Sequence, residues 1–246
     1  MAENGIQMWK KGVKDGIPIC LGYFGVSFAF GIQASGVGIA PFDATLLSLL
    51  NLTSAGQLAA LDIIAENGSY FTLALLQLII NLRYMLMSTA LSQKISEKTK
   101  ISSRLKMAYG ITDEIFALSA VYPGELPPAY TYGLITAAVP GWTFGTLLGA
   151  VAGRILPDRI VSALGIAIYG MFIAVVVPEA KKQKNVLIGV IITMIASSLL
   201  VYCPGLNRVP SEYRIIIVTV AVSALLSLLF PVKDSEDGAS DTEEPA

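Results

Sequence analysis

The sequence predicts an all-α membrane protein, a polytopic helix bundle of roughly seven or eight apolar segments, and three observations lead there. Hydrophobic residues make up 54% of the 246 residues and charged ones only 14%, with a mean hydropathy of +0.66. That is more apolar surface than the core of one soluble domain can bury. Second, apolar stretches recur along the chain, most of them near the ~20 residues that carry a helix across a hydrocarbon core of about 30 Å. Third, one stretch is interrupted by polar residues, as expected of a broken or re-entrant element that lines a polar cavity. Helices are the economical choice for every segment, because amides in lipid must be paired within the segment.

Residues 1–16 form a lead rich in lysine, with Lys10, Lys11 and Lys14. Ile6, Trp9, Val13 and Ile17 recur at spacings of three and four there. This suits either a short helix on the membrane surface or an ordinary solvated, cytoplasmic lead-in. The later spans make the next stretch a first transmembrane helix and not a secretory signal. Apolar segments then follow near 17–36, 42–64, 70–91, 105–122, 129–152, 160–178, 185–203 and 214–231, so that one transmembrane domain covers 17–231. Segment 42–64 is the interrupted one, with Asp43, Asn51, Thr53, Ser54, Gly56, Gln57 and Asp62. Residues 232–246 make an acidic tail expected to be disordered.

Charge placement supports the same arrangement. Lys10, Lys11 and Lys14, and the cluster Lys94, Lys98, Lys100, Arg104 and Lys106, both point to the cytoplasm. An even number of crossings must separate them, yet three apolar segments lie between. A re-entrant 42–64 removes the conflict. In the second half, Arg154 and Arg159 flank one side of a single span and Lys181, Lys182 and Lys184 the other, which leaves the C-terminal side unassigned.

Several function classes drop out. A net charge of −1 offers no basic field for nucleic acid. The chain has no histidine and only two distant cysteines, Cys20 and Cys203. This excludes His-dependent triads and the usual zinc sites, and neither metal nor cofactor is expected. No GxxxxGK[ST] or GxSxG run is present. The chain is read as no enzyme.

The chemistry concentrates on charges inside apolar runs. Arg83 lies eight residues before Leu91, about 12 Å along a helix. Asp113 lies eight residues after Leu105. A short loop would make these helices antiparallel neighbours and bring the two charges to one depth. Each charge alone costs about 2.5–3.5 kcal/mol at the centre of a membrane helix, so Arg83, Asp113 and Glu114 should face a bundle interior or a wet cavity. Neighbouring residues on a helix point about 100° apart. Arg83 pairs with Asp113, and Glu114 is left either to bond a backbone or serine group, or to meet a cation or carry a proton. Gln77, Asn81, Tyr84 and Ser88 add a polar stripe that serves interhelical bonding or lines a pathway.

Glycines suggest how the bundle closes. Gly145, Gly149 and Gly153 repeat every four residues, as packing faces do, and Val139-Pro140-Gly141 should kink the same helix. The pair Phe24-Gly25 echoes Phe144-Gly145, a weak internal repeat of the kind transporters build around a midplane site.

At these residues the chain resembles the AzlC-type permeases, the large subunits of bacterial branched-chain amino acid exporters. The likeness rests on Phe24-Gly25, Ser54-Ala55-Gly56-Gln57, Asn81-Leu82-Arg83 with Leu86 and Ser88, and Asp113-Glu114 followed by Phe116-Ala117-Leu118. It spans about residues 10–230. Where the family often has histidine after its Asn-Leu-Arg, Tyr84 stands here, so no proton role of that histidine carries over. The resemblance implies a secondary transporter in a bacterial cell membrane that exports aliphatic amino acids beside a small AzlD-type membrane subunit. A proton or substrate gradient is the simplest driver. The residues expected at the substrate or along its path are Gln57, Asn81, Arg83, Tyr84, Asp113 and Glu114, with Glu114 the proton-coupling candidate. A scaffold or sensor subunit that does not transport is the competing reading.

Overall fold

The computed structural model describes residues 2–157, 159–161, 163, 170, 173, 176–178, 180–204, 208–209 and 211–230. The expected span at 160–178 lies largely outside the described residues, and the acidic tail wholly so. Among the described residues the regular elements are all helices. The chain divides into two compact units, Met1–Val177 and Pro178–Ala246.

The first unit is organised by two long helices, α1 (Ala2–Gly36) and α8 (Pro128–Ile155). The expected surface lead is no separate element: α1 runs unbroken from Ala2, and Trp9 and Gly12 already pack on α8, with the Trp9 indole 3.4 Å from the Thr136 hydroxyl. Apolar packing on α8 is what carries the helix through the lysines. A methyl group added to Gly141, Gly145 or Gly149 would collide with the carbonyls of Cys20, Phe24 and Phe28 in turn. The partners advance together by fours, so α1 and α8 run parallel, backbone against backbone. This brings the two Phe-Gly pairs side by side, as a repeat about an axis along the membrane normal would.

Between these helices the chain makes three broken elements. The segment expected to be broken or re-entrant is α2 (Pro41–Leu50) and α3 (Ser54–Ala65), interrupted at Asn51–Thr53. Its outer ends sit near the C-terminal ends of α1 and α8: Ala44 and Leu61 pack with Ala34 and Ala150, and Arg154 reaches the Ile39 carbonyl at 3.5 Å. Its tip, at Leu52, packs instead with Tyr23, Ile115 and Trp142 in the middle of the bundle. The segment therefore enters and leaves at one end.

The next segment, expected as one continuous span over 70–91, is two helices, α4 (Tyr70–Ile80) and α5 (Leu82–Ser92), bent by 44° at Asn81. Ser69 caps α4 by accepting the Thr72 amide at 3.1 Å.

A larger correction concerns 105–122, expected as a crossing. It is a second hairpin, α6 (Ile101–Tyr109) and α7 (Asp113–Ala120), broken at Gly110–Thr112. The ammonium of Lys94 donates to the carbonyls of Ala120 at 2.6 Å and Tyr122 at 2.5 Å, which ties the end of α7 to the end of α5. Tyr132, near the start of α8, reaches Ser103 at the start of α6. Both ends of this hairpin thus lie at the end marked by Lys11, whose ammonium covers the rings of Tyr122 and Tyr130. Helices of eight and nine residues are only about 12–14 Å long, less than half the hydrocarbon thickness. Thr112 causes the reversal: it caps α7 by accepting the Ile115 amide and so starts a new helix instead of extending the old one. The two hairpins enter from opposite ends and meet, with the Tyr109 hydroxyl donating to the Leu49 carbonyl at 2.6 Å.

The second unit contains α9 (Lys184–Tyr202) and α10 (Ser211–Leu229), of 19 residues each. Gly189 early in α9 faces Leu226 late in α10, an antiparallel pair. Among the described residues, three helices are long and apolar enough to cross a membrane, Gly5–Gly36, Pro128–Ile155 and Lys184–Tyr202, and the bent α4–α5 pair makes a fourth.

Candidate functional site

All three interruptions converge at mid-bundle, and the charged side chains lie there. Arg83 and Asp113 were expected deep within continuous helices. Each instead occupies the first turn of a half-helix, α5 and α7, because the chain breaks at Asn81 and at Gly110–Thr112 just before them. The consequence is electrostatic. Carboxylates at Asp113 and Glu114 sit where the unpaired amides and dipole of α7 favour negative charge. Arg83 sits at the same unfavourable pole of α5, so its stability depends on an acid.

That acid is Asp113, whose Oδ2 lies 2.8 Å from Arg83 Nη1. The guanidinium also covers the Tyr84 ring at 5.1 Å and points Nη2 at the Tyr84 hydroxyl at 3.4 Å. Glu114 turns the other way, as its place one residue on requires. Its Oε2 accepts a hydrogen bond from the Tyr23 hydroxyl at 2.6 Å. The Thr112 hydroxyl lies 2.5 Å from the same phenol oxygen. The single Tyr23 proton is engaged by Glu114, so Thr112 supplies its own to Tyr23. A relay of hydroxyls thus fixes one carboxylate while an arginine fixes its neighbour.

A cavity of about 40 Å³ opens on this group, bounded by Tyr23, Ser54, Tyr84, Asp113, Glu114 and Trp142 among others. Two or three waters fill such a volume. An aliphatic amino acid does not, so a ligand there requires the hairpin tips to separate. The Arg83 and Asp113 side chains keep 43% and 49% of their surface open.

The other expected site residues fall elsewhere. Gln57 is fully buried one layer behind the cavity: it accepts from the Trp142 indole at 3.0 Å and donates to Ser48 at 2.9 Å, and Ser48 in turn meets Thr146 at 2.7 Å. It positions Trp142 and does not line the cavity. Asn81 donates to Gln77 at 3.0 Å, and Gln77 donates to the Gly56 carbonyl at 2.7 Å, which joins the two broken segments; the Asn81 amide oxygen is buried without a partner. The expected stripe of Gln77, Asn81, Tyr84 and Ser88 is therefore split by the bend, and only Tyr84 reaches the cavity. Sequence reasoning missed Tyr23, Thr112 and Trp142. A lone tyrosine beside the Phe24-Gly25 element and a threonine just before two acids were the available signals.

Comparison with known proteins places the chain among membrane proteins. The AzlC protein family matches residues 18–156, which contain every residue of the cavity. Inner membrane protein YgaZ of Escherichia coli (strain K12) is 25% identical over 188 residues, 74% of this chain and 77% of the relative. A membrane protein of Archaeoglobus fulgidus without assigned function is 32% identical over 176 residues, 71% of this chain and 77% of the relative. No solved structure matches the chain significantly. A family match over more than half of the sequence, centred on the paired hairpins and their charged meeting point, makes this chain a membrane protein of the AzlC family.

Proposed function

We propose that the chain is the multi-pass large subunit of a secondary transporter that exports branched-chain or other aliphatic amino acids across a bacterial inner membrane. The observation that carries this reading is the meeting of Arg83, Asp113 and Glu114 at half-helix N-termini between two opposed hairpins. An aliphatic amino acid presents a carboxylate, an ammonium group and an apolar side chain. Arg83 and the amide dipoles suit the first, Glu114 the second, and the apolar residues around Leu52, Val26 and Trp142 the third. Glu114, already joined to a hydroxyl relay, is the group that exchanges a proton when a proton gradient drives transport.

Half-open charges at mid-bundle also support the need for a partner. An ion facing hydrocarbon costs about 2.5–3.5 kcal/mol, so a small membrane subunit of the AzlD type is proposed to cover Arg83 and Asp113. The AzlC family and the membrane-protein relatives support a transport role over catalysis. Purified chain in liposomes, with and without the partner, tests the proposal through flux of labelled leucine, valine and isoleucine. Substrate-saturable efflux supports it. No flux of any of the three with both subunits present overturns it in favour of a scaffold or sensor.

A further inference from the structure

A second and larger cavity, of about 210 Å³, lies toward the lysine-rich end between α5 and α6, against α8. Leu91, Ile95, Ile101, Leu105, Met107 and Ile111 make it chiefly apolar. One polar group on its wall is unpaired and another carries a charge that no acid cancels. The Thr131 hydroxyl is only 1% exposed, lines the cavity and has no hydrogen-bond partner. Buried hydroxyls are almost always paired, so an orphan facing a cavity marks a place for a polar atom of a ligand. Arg104, on the same wall, is held by the carbonyls of Ser96 at 3.1 Å and Thr99 at 3.4 Å. Carbonyls orient the guanidinium but leave its charge uncancelled, and Arg104 makes no ion pair among the described residues.

The geometry points to a second ligand site here, distinct from the one at the helix breaks, that takes a small aliphatic carboxylate. Arg104 receives the carboxylate, Thr131 a second polar atom, and the leucine, isoleucine and methionine wall the hydrocarbon chain. A lipid acyl tail fits less well, because it offers Thr131 nothing and outruns a cavity of this size. Ile111 belongs to this cavity and its neighbour Thr112 to the central one, so the tip of the α6–α7 hairpin is the wall between the two. A ligand held here stands at the cytoplasmic approach to Glu114. The site stands on its own chemistry and does not depend on the chain's being an exporter.

A local reporter tests it in the full-length chain in nanodiscs, with Cys20→Ser and Cys203→Ser to remove native thiols. Ser88→Cys places a thiol in the cavity wall, and Ser92→Cys gives a second reporter should the first fold poorly. Saturating 4-methylpentanoate or L-leucine is expected to slow maleimide labelling by about tenfold, the effect of a probe near ten times its Kd. Arg104→Gln should abolish that protection and Thr131→Val should weaken it, whereas Glu114→Gln should leave it intact. The last result separates this site from the central one. The proposal is overturned if neither probe protects, if protection survives both Arg104→Gln and Thr131→Val, or if labelling is blocked until phospholipid is stripped and is insensitive to both probes thereafter.

Discussion

The guanidinium of Arg83 and the carboxylate of Asp113 meet at 2.8 Å across the first turns of two different half-helices. The pair joins the bent α4–α5 element to the α6–α7 hairpin at the depth where both are interrupted. Removing either partner leaves a charge at mid-membrane. Arg83→Ala and Asp113→Ala are each expected to lower the yield and melting temperature of the purified protein, while the double change recovers most of the loss. The coupling should be about 1–2 kcal/mol, discounted from a buried pair because both side chains are nearly half open. A double-mutant cycle on thermal unfolding measures it, and strictly additive losses would dismiss the pair.

Glu114 and Tyr23 form the second arm of the site. Glu114→Gln keeps shape and a hydrogen bond with Tyr23 but cannot release or take up a proton. In liposomes with both subunits, this variant is expected to exchange substrate while losing acceleration by a pH gradient. A loss of substrate affinity instead would assign Glu114 to the ammonium group. Wild-type affinity, rate and pH response together would remove Glu114 from the mechanism.

Gln57 should behave as a positioning residue. Gln57→Leu strands the Trp142 indole N–H in a buried site, an unpaired group costing about 1–3 kcal/mol, and leaves Ser48 with Thr146 as its partner. Stability should fall by at least as much as in the Arg83→Ala variant, and Trp142 fluorescence should shift. A neutral Gln57→Leu would mean that the chain Trp142–Gln57–Ser48–Thr146 carries no weight in the bundle.

Gly145 and Gly149 seat α8 on the α1 backbone, where no methyl group fits. Overpacking a tight interface costs about 1–3 kcal/mol, so Gly149→Ala should destabilise measurably and Gly145→Val more so. Gly22, with open space beside it, is the control: Gly22→Ala should be near neutral or stabilising. Thermal unfolding of the three variants side by side gives the test.

Two hairpins make a topological prediction. Single cysteines at Phe42 and Asn67 should be labelled from the same side of the membrane, and cysteines at Ser102 and Tyr122 both from the other. Phe42 and Asn67 labelled from opposite sides would make α2–α3 a crossing and overturn the paired-hairpin arrangement.

The helical membrane character was legible in composition, since a chain with this much apolar residue has nowhere else to bury it. The interruption at 42–64 was legible because polar residues cluster inside an apolar run, and the match of Arg83 with Asp113 because unpaired charges in lipid are too costly to leave alone. The break at Gly110–Thr112 was not. Apolar residues flank it on both sides, and one threonine cap decides between a span and a hairpin only when Lys94 is in place to hold the far end of α7.

The sequence by itself determined the chemistry, two acids and an arginine with one carboxylate to spare, because charge and hydropathy belong to residues. Only the tertiary structure decided that these groups stand at half-helix N-termini, that Tyr23 claims Glu114, and that Gln57 lies behind the cavity. Those outcomes depend on where the chain reverses and on which distant backbone it then meets. Such contacts join residues about 90 apart, as in Tyr23 with Glu114, and no local pattern encodes a pairing over that separation.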